Sequence, residues 1–191
     1  MKSLYPLPLL VGCLLAGLAA QAPRPTTLAQ QLNRELSSVE REVVPAAKAM
    51  PADKYDFAPA TSMGNFAGVR TFAQEVKHIA AANYSLGSAL LGSAAPVPDS
   101  DNGPDNIQTK DQIVKFLQDS FAYAHHAVDS ITPANALEPA KAGARSTRLF
   151  LAAELPAHSE DHYGQMVEYL RMNGLTPPAS VNQPPANPKK P

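Results

Sequence analysis

The feature that most constrains the fold is a helical repeat of apolar residues in four separate segments of the chain. In the first segment, from about Thr27 to Ala49, leucines and valines recur every three or four positions, which places them on one face of an α-helix. Segments 66–91, 109–130 and 144–173 show similar spacings. We find no run that alternates like a β-strand. The pattern therefore predicts an all-α protein.

Proline-rich and polar joints separate the four segments. Met50-Pro51, the polar stretch 95–108 and Thr132-Pro133 interrupt the pattern in turn, and a glycine followed by two prolines ends the fourth segment. Pro156 lies inside that segment, so we expect the helix to kink or to restart there. Helices of similar length joined in this way predict an antiparallel four-helix bundle. The longer joint after the third helix leaves the handedness open.

The two ends of the chain differ from the bundle. Lys2 precedes an apolar stretch from Leu7 to Ala20, and Ala20-Gln21-Ala22 matches the small-x-small pattern of signal-peptide cleavage. A retained N-terminal anchor and a lipoprotein signal at Cys13 are the alternatives. The predicted domains are a secretory signal peptide at 1–22, the bundle at 23–179 and a disordered proline-rich tail at 180–191.

Composition and charge exclude several kinds of function. Cys13 is the only cysteine and would leave with the signal peptide. The mature chain would then have no disulfide, cysteine nucleophile or cysteine-ligated zinc. The chain is 45% hydrophobic and 17% charged, which is typical of a protein with a packed core. Its net charge of -1 provides no basic field for nucleic acid or an anionic membrane. We expect no stable membrane span in the mature form.

Histidines in the apolar stripe of the fourth helix indicate a metal site. That stripe comprises Leu151, Leu155, His158, His162, Gln165, Tyr169 and Met172. His158 and His162 are four residues apart and share one face, so both imidazoles can reach one ion. His78, beside the apolar stripe of the second helix, is the preferred third ligand. His126 is the reserve, and His125 is expected at the surface. The alternative is that the pair consists of polar core or surface histidines without a metal.

Carboxylates near these histidines are candidates to orient the imidazole rings. They are Glu75, Glu160 and Asp161, although solvated helix charges are the alternative interpretation. Tyr169 could form a wall of the cavity. Ser159 follows His158 where a zinc protease motif requires glutamate, so protease activity is not expected.

Two stretches carry a family resemblance. "HSEDHYGQMVEYLRMNGLTPP", from His158 to Pro178, resembles the last helix of DinB-like proteins. "VRTFAQEVKHIAAANYSLGSALLG", from Val69 to Gly92, resembles their second helix, and "MPADKYDFAP" precedes it. The resemblance implies a metal-binding four-helix bundle with His78, His158 and His162 as ligands, and zinc or nickel as the ion. The donor set alone suits zinc, nickel, copper or iron.

These observations lead to two functional expectations. The first is an exported metal-dependent enzyme, a transferase or hydrolase acting on a small molecule. Some DinB-like relatives use a low-molecular-weight thiol, but export would separate this chain from cytosolic thiols, and its nearest candidate cations are Arg70, Arg145 and Arg148. The second is a non-catalytic metal-binding or interaction module, in which the ion stabilises the bundle. A homodimer is compatible with the resemblance, although no apolar seam demands one.

Overall fold

Four α-helices account for most of the chain that the structure, a computed structural model, describes. The described residues are 26–98, 100–140 and 144–181. Within these ranges there is no β-strand, and no helix is long and apolar enough to cross a membrane. The helices are α1 (Leu28–Ala49), α2 (Phe72–Leu91), α3 (Lys110–Asp129) and α4 (Arg148–Met172). The prediction of an all-α four-helix bundle is confirmed. The predicted signal peptide, and the chain from 182 onward, lie outside the described residues.

A threonine caps the N-terminus of every helix. Thr27, Thr71, Thr109 and Thr147 each accept a hydrogen bond from a backbone N–H in the first turn, which satisfies a donor that the helix itself leaves free. In α1, α2 and α3 a glutamine at the third helical position also binds back to the cap residue. These reciprocal caps define where the first three helices begin.

The second helix begins later than the apolar stripe predicts. The stripe placed its start near Phe66, but α2 begins at Phe72, after the Thr71 cap. Val69, which fits the stripe, is 38% exposed, and Gly68 has a positive φ of 79°, which ends any helical run there. A capping box therefore decides the boundary rather than the spacing of apolar residues.

The fourth helix does not restart at Pro156. α4 is one element from Arg148 to Met172 with the proline inside it, so of the two expected outcomes, a kink or a restart, the restart does not occur. Packing on both α1 and α2 offsets the lost backbone hydrogen bond. The consequence is that Leu155, His158 and His162 keep continuous helical spacing.

The helices form a four-helix bundle, with one helix at each corner of its cross-section. α1 and α2 each pack against both α3 and α4, whereas α3 and α4 barely touch. α1 and α3 run antiparallel, because Asn33 donates to Asp129 at 2.7 Å near one end and Lys110 donates to the carbonyl of Met50 at 2.7 Å near the other. The antiparallel arrangement expected from the sequence applies to this pair.

α2 and α4 are also antiparallel. The Tyr169 hydroxyl donates to the carbonyl of Arg70 at 3.1 Å, and at the other end Arg148 donates to the carbonyl of Leu90 at 2.5 Å. The middle of α2 therefore lies opposite the middle of α4.

α2 and α3 instead run parallel. Asn83 donates to Ser120 at 3.2 Å, and Ser88 pairs with Tyr123 at 2.9 Å, so the contacts advance in the same direction along both helices. A helix of this length spans about 30 Å, and the connection 92–109 returns the chain over that distance. The connection thereby crosses the face of the bundle beside α2.

The core is mainly apolar, and its buried charged pair lies between α2 and α4. The largest fully buried side chains include Phe72, Phe121, Ile79 and Leu155, and burial of each stabilises the fold by roughly 1.5–3 kcal/mol. On α4, the predicted stripe is buried at Leu151, Leu155, His162 and Tyr169, but Met172 is 40% exposed. The buried polar residues include Glu75, Asn83, Ser88, Ser120, Ser159 and His162.

The connection between α2 and α3 packs closely against α2 and hydrogen-bonds to it. The Lys77 ammonium donates to the carbonyls of Pro104 and Ile107 at 3.0 and 3.4 Å. Gly103 packs so tightly that a Cβ atom built on it would lie 2.7 Å from Lys77 Cβ. Only glycine fits here, because its φ is also +69°.

Replacing Gly103 with alanine is expected to lower the free energy of unfolding by about 2–3 kcal/mol. The added methyl group would meet both the side chain and the backbone of Lys77, and the positive φ would be strained. Urea denaturation measures the loss. Gly174→Ala is the matched control, because its φ is +74° but no atom of the described residues lies within 4 Å of a Cβ built on it, so it should cost about 1 kcal/mol. Equal losses would contradict the tight packing of the connection on α2.

Candidate metal centre

Three histidines from two helices meet in the middle of the bundle. His78 lies on α2, and His158 and His162 lie one turn apart on α4. One ligand nitrogen from each ring lies within 4.8 Å of the others. We call these three residues the histidine cluster. The structure therefore brings together all three residues that the sequence singled out as metal ligands.

The spacing of the histidine cluster fits a small metal ion. His78 Nε2 and His158 Nε2 are 3.2 Å apart. Two imidazole nitrogens bound at about 2.0–2.1 Å to one tetrahedral ion lie roughly 3.3–3.4 Å apart. In addition, His158 Nδ1 is buried and has no hydrogen-bond partner within residues 26–98, 100–140 and 144–181. The donor chemistry and the spacing are thus compatible with a divalent transition metal.

A buried carboxylate fixes the orientation of His162. His162 Nδ1 donates to Glu75 Oε2 at 2.8 Å, and the two residues are only 7% and 1% exposed. Because Nδ1 carries the proton in this hydrogen bond, Nε2 is the nitrogen left with a free lone pair. A carboxylate that holds the far side of a ligating imidazole is a common feature of metal sites. Glu75 was predicted to orient a histidine, and the structure pairs it with His162 across the helix interface.

The connection 92–109 fixes the orientation of His78. The backbone carbonyl of Asp101 accepts a very short hydrogen bond from His78 Nδ1, which leaves Nε2 directed at the cluster. The Asp101 carboxylate forms an ion pair with Arg70 at 2.9 Å, and Arg70 also donates to Asn102 at 3.1 Å. Asp101 could not be identified from the sequence, because no local pattern indicates where a connecting segment will lie.

Burial keeps two of the cluster imidazoles neutral. Burial, together with the positive charges that His162, His78 and Arg70 can carry, lowers the pKa of His158 to about 4. Burial also lowers the pKa of His78 below its ordinary value, against the raising effect of its hydrogen bond to Asp101. At neutral pH both rings therefore offer lone pairs rather than protons, which is the form that binds a metal.

One side of the histidine cluster faces a cleft. His78 and His158 line a cavity of about 230 Å³ whose wall also includes Ser100, Asp101 and Glu154. Glu154 is half-buried and lies one turn before His158 on α4. Glu154 is not among the residues predicted from the sequence, although its four-residue spacing from His158 indicates a shared helix face. A carboxylate in this cleft can take up or release a proton.

The other candidate residues lie away from the histidine cluster. His126 is exposed, and His125 bridges α3 to α1 through Asn33 at 2.6 Å and Glu40 at 3.1 Å. His125 therefore joins two helices rather than serving the surface role expected of it.

The remaining candidates do not orient the cluster histidines. Glu160 and Asp161 are exposed on α4, and among the described residues neither forms a hydrogen bond with a cluster histidine. The expectation that they orient an imidazole is thus not met, because both side chains lie on the solvent-exposed side of α4. Tyr169 is buried and packs edge-on against Phe57 at 5.6 Å. Arg145 is exposed.

A comparison with protein-family models matches this architecture to one family. The model of the DinB superfamily matches residues 35–166, a range that contains the whole histidine cluster. No curated protein matches the chain. Because the family match covers more than half of the 191 residues, the chain belongs to the DinB superfamily.

Proposed function

We propose that the chain binds one divalent transition-metal ion through the histidine cluster and acts as a metal-dependent hydrolase or transferase on a small molecule. The observation that carries the proposal is the convergence of three imidazoles, two of them oriented by Glu75 and Asp101, beside a cleft. Three protein ligands with an accessible side are typical of catalytic rather than structural zinc sites.

Zinc or nickel is the proposed ion. The donors are imidazole nitrogens, which suit zinc, nickel, copper and iron. Membership of the DinB superfamily favours zinc or nickel within that set, as the sequence resemblance implied.

Each polar residue of the site has a separate role in this proposal. A bound ion would supply Lewis acidity on the side of the cluster that faces the cleft. Glu75 holds His162 in the tautomer that presents Nε2, and the Asp101 carbonyl does the same for His78. Glu154, in the wall of the cleft, is placed to accept a proton from a nucleophile or to donate one to a leaving group.

Hydrolysis is favoured over transfer from a thiol cofactor. Besides burial and the neighbouring histidines, the positive charge of Arg70 lowers the pKa of both His78 and His158. Its guanidinium is already paired with Asp101. An anionic thiol cofactor would have to displace that pair. The second candidate function is a non-catalytic metal-binding module. The burial of His162, which is only 7% exposed, supports it, because structural metal sites are closed to solvent.

We also propose that the protein is exported and that residues 1–22 are removed. The support is the apolar stretch followed by Ala20-Gln21-Ala22. Expression in a bacterial host followed by mass spectrometry of the secreted or periplasmic fraction should find a chain that begins at Pro23. A chain that keeps Met1 and stays with the membrane fraction would contradict this proposal.

Metal analysis of purified protein tests the ligand set. We expect about one zinc or nickel ion per chain and its loss when any one of the cluster histidines is replaced by alanine, because two imidazoles hold an ion far more weakly than three. Mass spectrometry of the metal content and calorimetric titration give the measurement. His126→Ala is the matched control and should keep its metal. Wild-type protein that stays empty after treatment with zinc and nickel would overturn the proposed site.

Calorimetric titration with metal also tests whether the Glu75 carboxylate orients a ligand, by comparing it with the surface carboxylate of Glu160. Glu75→Gln is expected to weaken metal affinity by about 10- to 100-fold, because glutamine cannot accept the buried hydrogen bond from His162 as strongly. Glu160→Gln, on the exposed side of α4, should leave the affinity unchanged. Equal affinities for both variants would show that Glu75 does not act on the ligand.

Cobalt substitution tests whether the ion has an accessible coordination position. If the protein is an enzyme, azide added to the cobalt-loaded form should change its visible absorption spectrum, because azide enters through the cleft. A closed structural site should not respond. An unresponsive spectrum in a protein that binds cobalt stoichiometrically would favour the non-catalytic function.

A further inference from the structure

A second cavity lies next to the metal cleft. It has a volume of about 490 Å³ and is bounded by the C-terminal half of α2, the start of α4 near Leu151, and two connecting segments around Val97 and Ala140. This volume lies within the range of small-molecule binding sites, about 300–1,000 Å³. The proposed metal chemistry does not use this cavity.

The wall of the second cavity is uncharged in the described part of the chain. Most of its residues are alanine, glycine or serine, and the larger ones are Val97, Pro98 and Leu151. The Ser88 hydroxyl is already paired with the Tyr123 hydroxyl at 2.9 Å. A charged group placed here would lose its hydration without gaining an ionic partner from these residues. The larger described residues of the wall, Val97, Pro98 and Leu151, are apolar, and they suit an apolar group of a ligand.

The second cavity adjoins the histidine cluster along α2. Ala81 and Ser85 belong to the walls of both this cavity and the cleft that contains His78 and His158. Ala81 follows His78 by one turn of the helix. A ligand lying along this face of α2 would thus place one end at the cluster and the other end in the apolar cavity.

The two ends of such a ligand would contact residues of different polarity. At the cluster end lie imidazole nitrogens, Glu154 and the Arg70–Asp101 ion pair, which suit a polar head that can bind a metal. At the other end lie small and aliphatic side chains. From this gradient we propose that the substrates are amphiphiles, with an aliphatic chain in the second cavity and a polar, metal-binding head in the cleft. This inference rests on the proposed metal function.

Two hydroxamates of different chain length test the inference on zinc-loaded protein. Acetohydroxamate presents the metal-binding head alone, and octanohydroxamate adds an aliphatic chain. Burial of each methylene group tightens binding by about 3- to 4-fold. Allowing for incomplete burial, we expect octanohydroxamate to bind at least ~30-fold more tightly in calorimetric titration. Equal affinities for the two hydroxamates would overturn the inference.

A variant that fills the second cavity provides the matched comparison. Ala89 lines the cavity and is exposed, so Ala89→Trp should fold while its indole occupies the space. It should bind acetohydroxamate like the wild type and lose most of the advantage of the longer chain. Ala122→Trp, at an exposed position of α3, should keep that advantage. Retention of the advantage in Ala89→Trp would place the chain elsewhere and overturn the inference.

A metal-free measurement separates failure of the cavity from failure of the metal site. 1-Octanol should bind chelator-treated wild-type protein, and Ala89→Trp should abolish that binding. If 1-octanol binds in this way but neither hydroxamate binds, the proposed metal function fails and the apolar cavity stands as a binding site. If 1-octanol does not bind and the hydroxamates bind equally, the cavity is not a ligand site and only the metal function stands.

Discussion

The hydrogen bond between Glu75 and His162 is the interaction on which the site depends. It joins α2 to α4 at 2.8 Å in a place where both side chains are almost fully buried. Burying a carboxylate is costly unless a partner compensates for the lost hydration. The pair therefore favours a register of the two helices in which these residues meet. In the same antiparallel register, His78 and His158 lie 3.2 Å apart, so the contact that orients one imidazole also aligns the other two.

The rest of the bundle offsets the cost of this polar region. Between α2 and α3, Tyr84 packs against Phe116 and Tyr123 at ring distances of 5.4 and 5.3 Å, and the buried polar side chains there, Asn83 and Ser120, hydrogen-bond each other. α1 contributes Leu36, Val39 and Val43 to the same core. Each helix has its own threonine cap. Stability can thus come from regions away from the histidines, which allows α4 to carry polar residues where leucines would pack better.

Helical spacing made much of the fold and the site predictable, because it operates within one segment. The four-residue spacing of His158 and His162 places both on one helix face regardless of the surroundings. The apolar stripe of α2 predicted His78 as the third ligand. The path of the connection 92–109 follows from contacts between distant residues, such as Gly103 against Lys77. For that reason the parallel direction of α3 and the role of Asp101 were beyond a reading of local pattern.

The energetics of the histidine cluster favour a functional role for it over a purely structural one. Burial lowers the pKa of His158 to about 4, and its Nδ1 has no hydrogen-bond partner among the described residues, so this imidazole is a local cost to the fold. A metal ion with a purely structural role would be expected where a fold lacks other stabilising contacts. The helix caps and the apolar core of this bundle already supply such contacts. Selection for stability alone would place apolar residues at these positions. The arrangement is more readily explained as a preorganised site, in which oriented and desolvated imidazoles are kept ready for a ligand that arrives through the cleft.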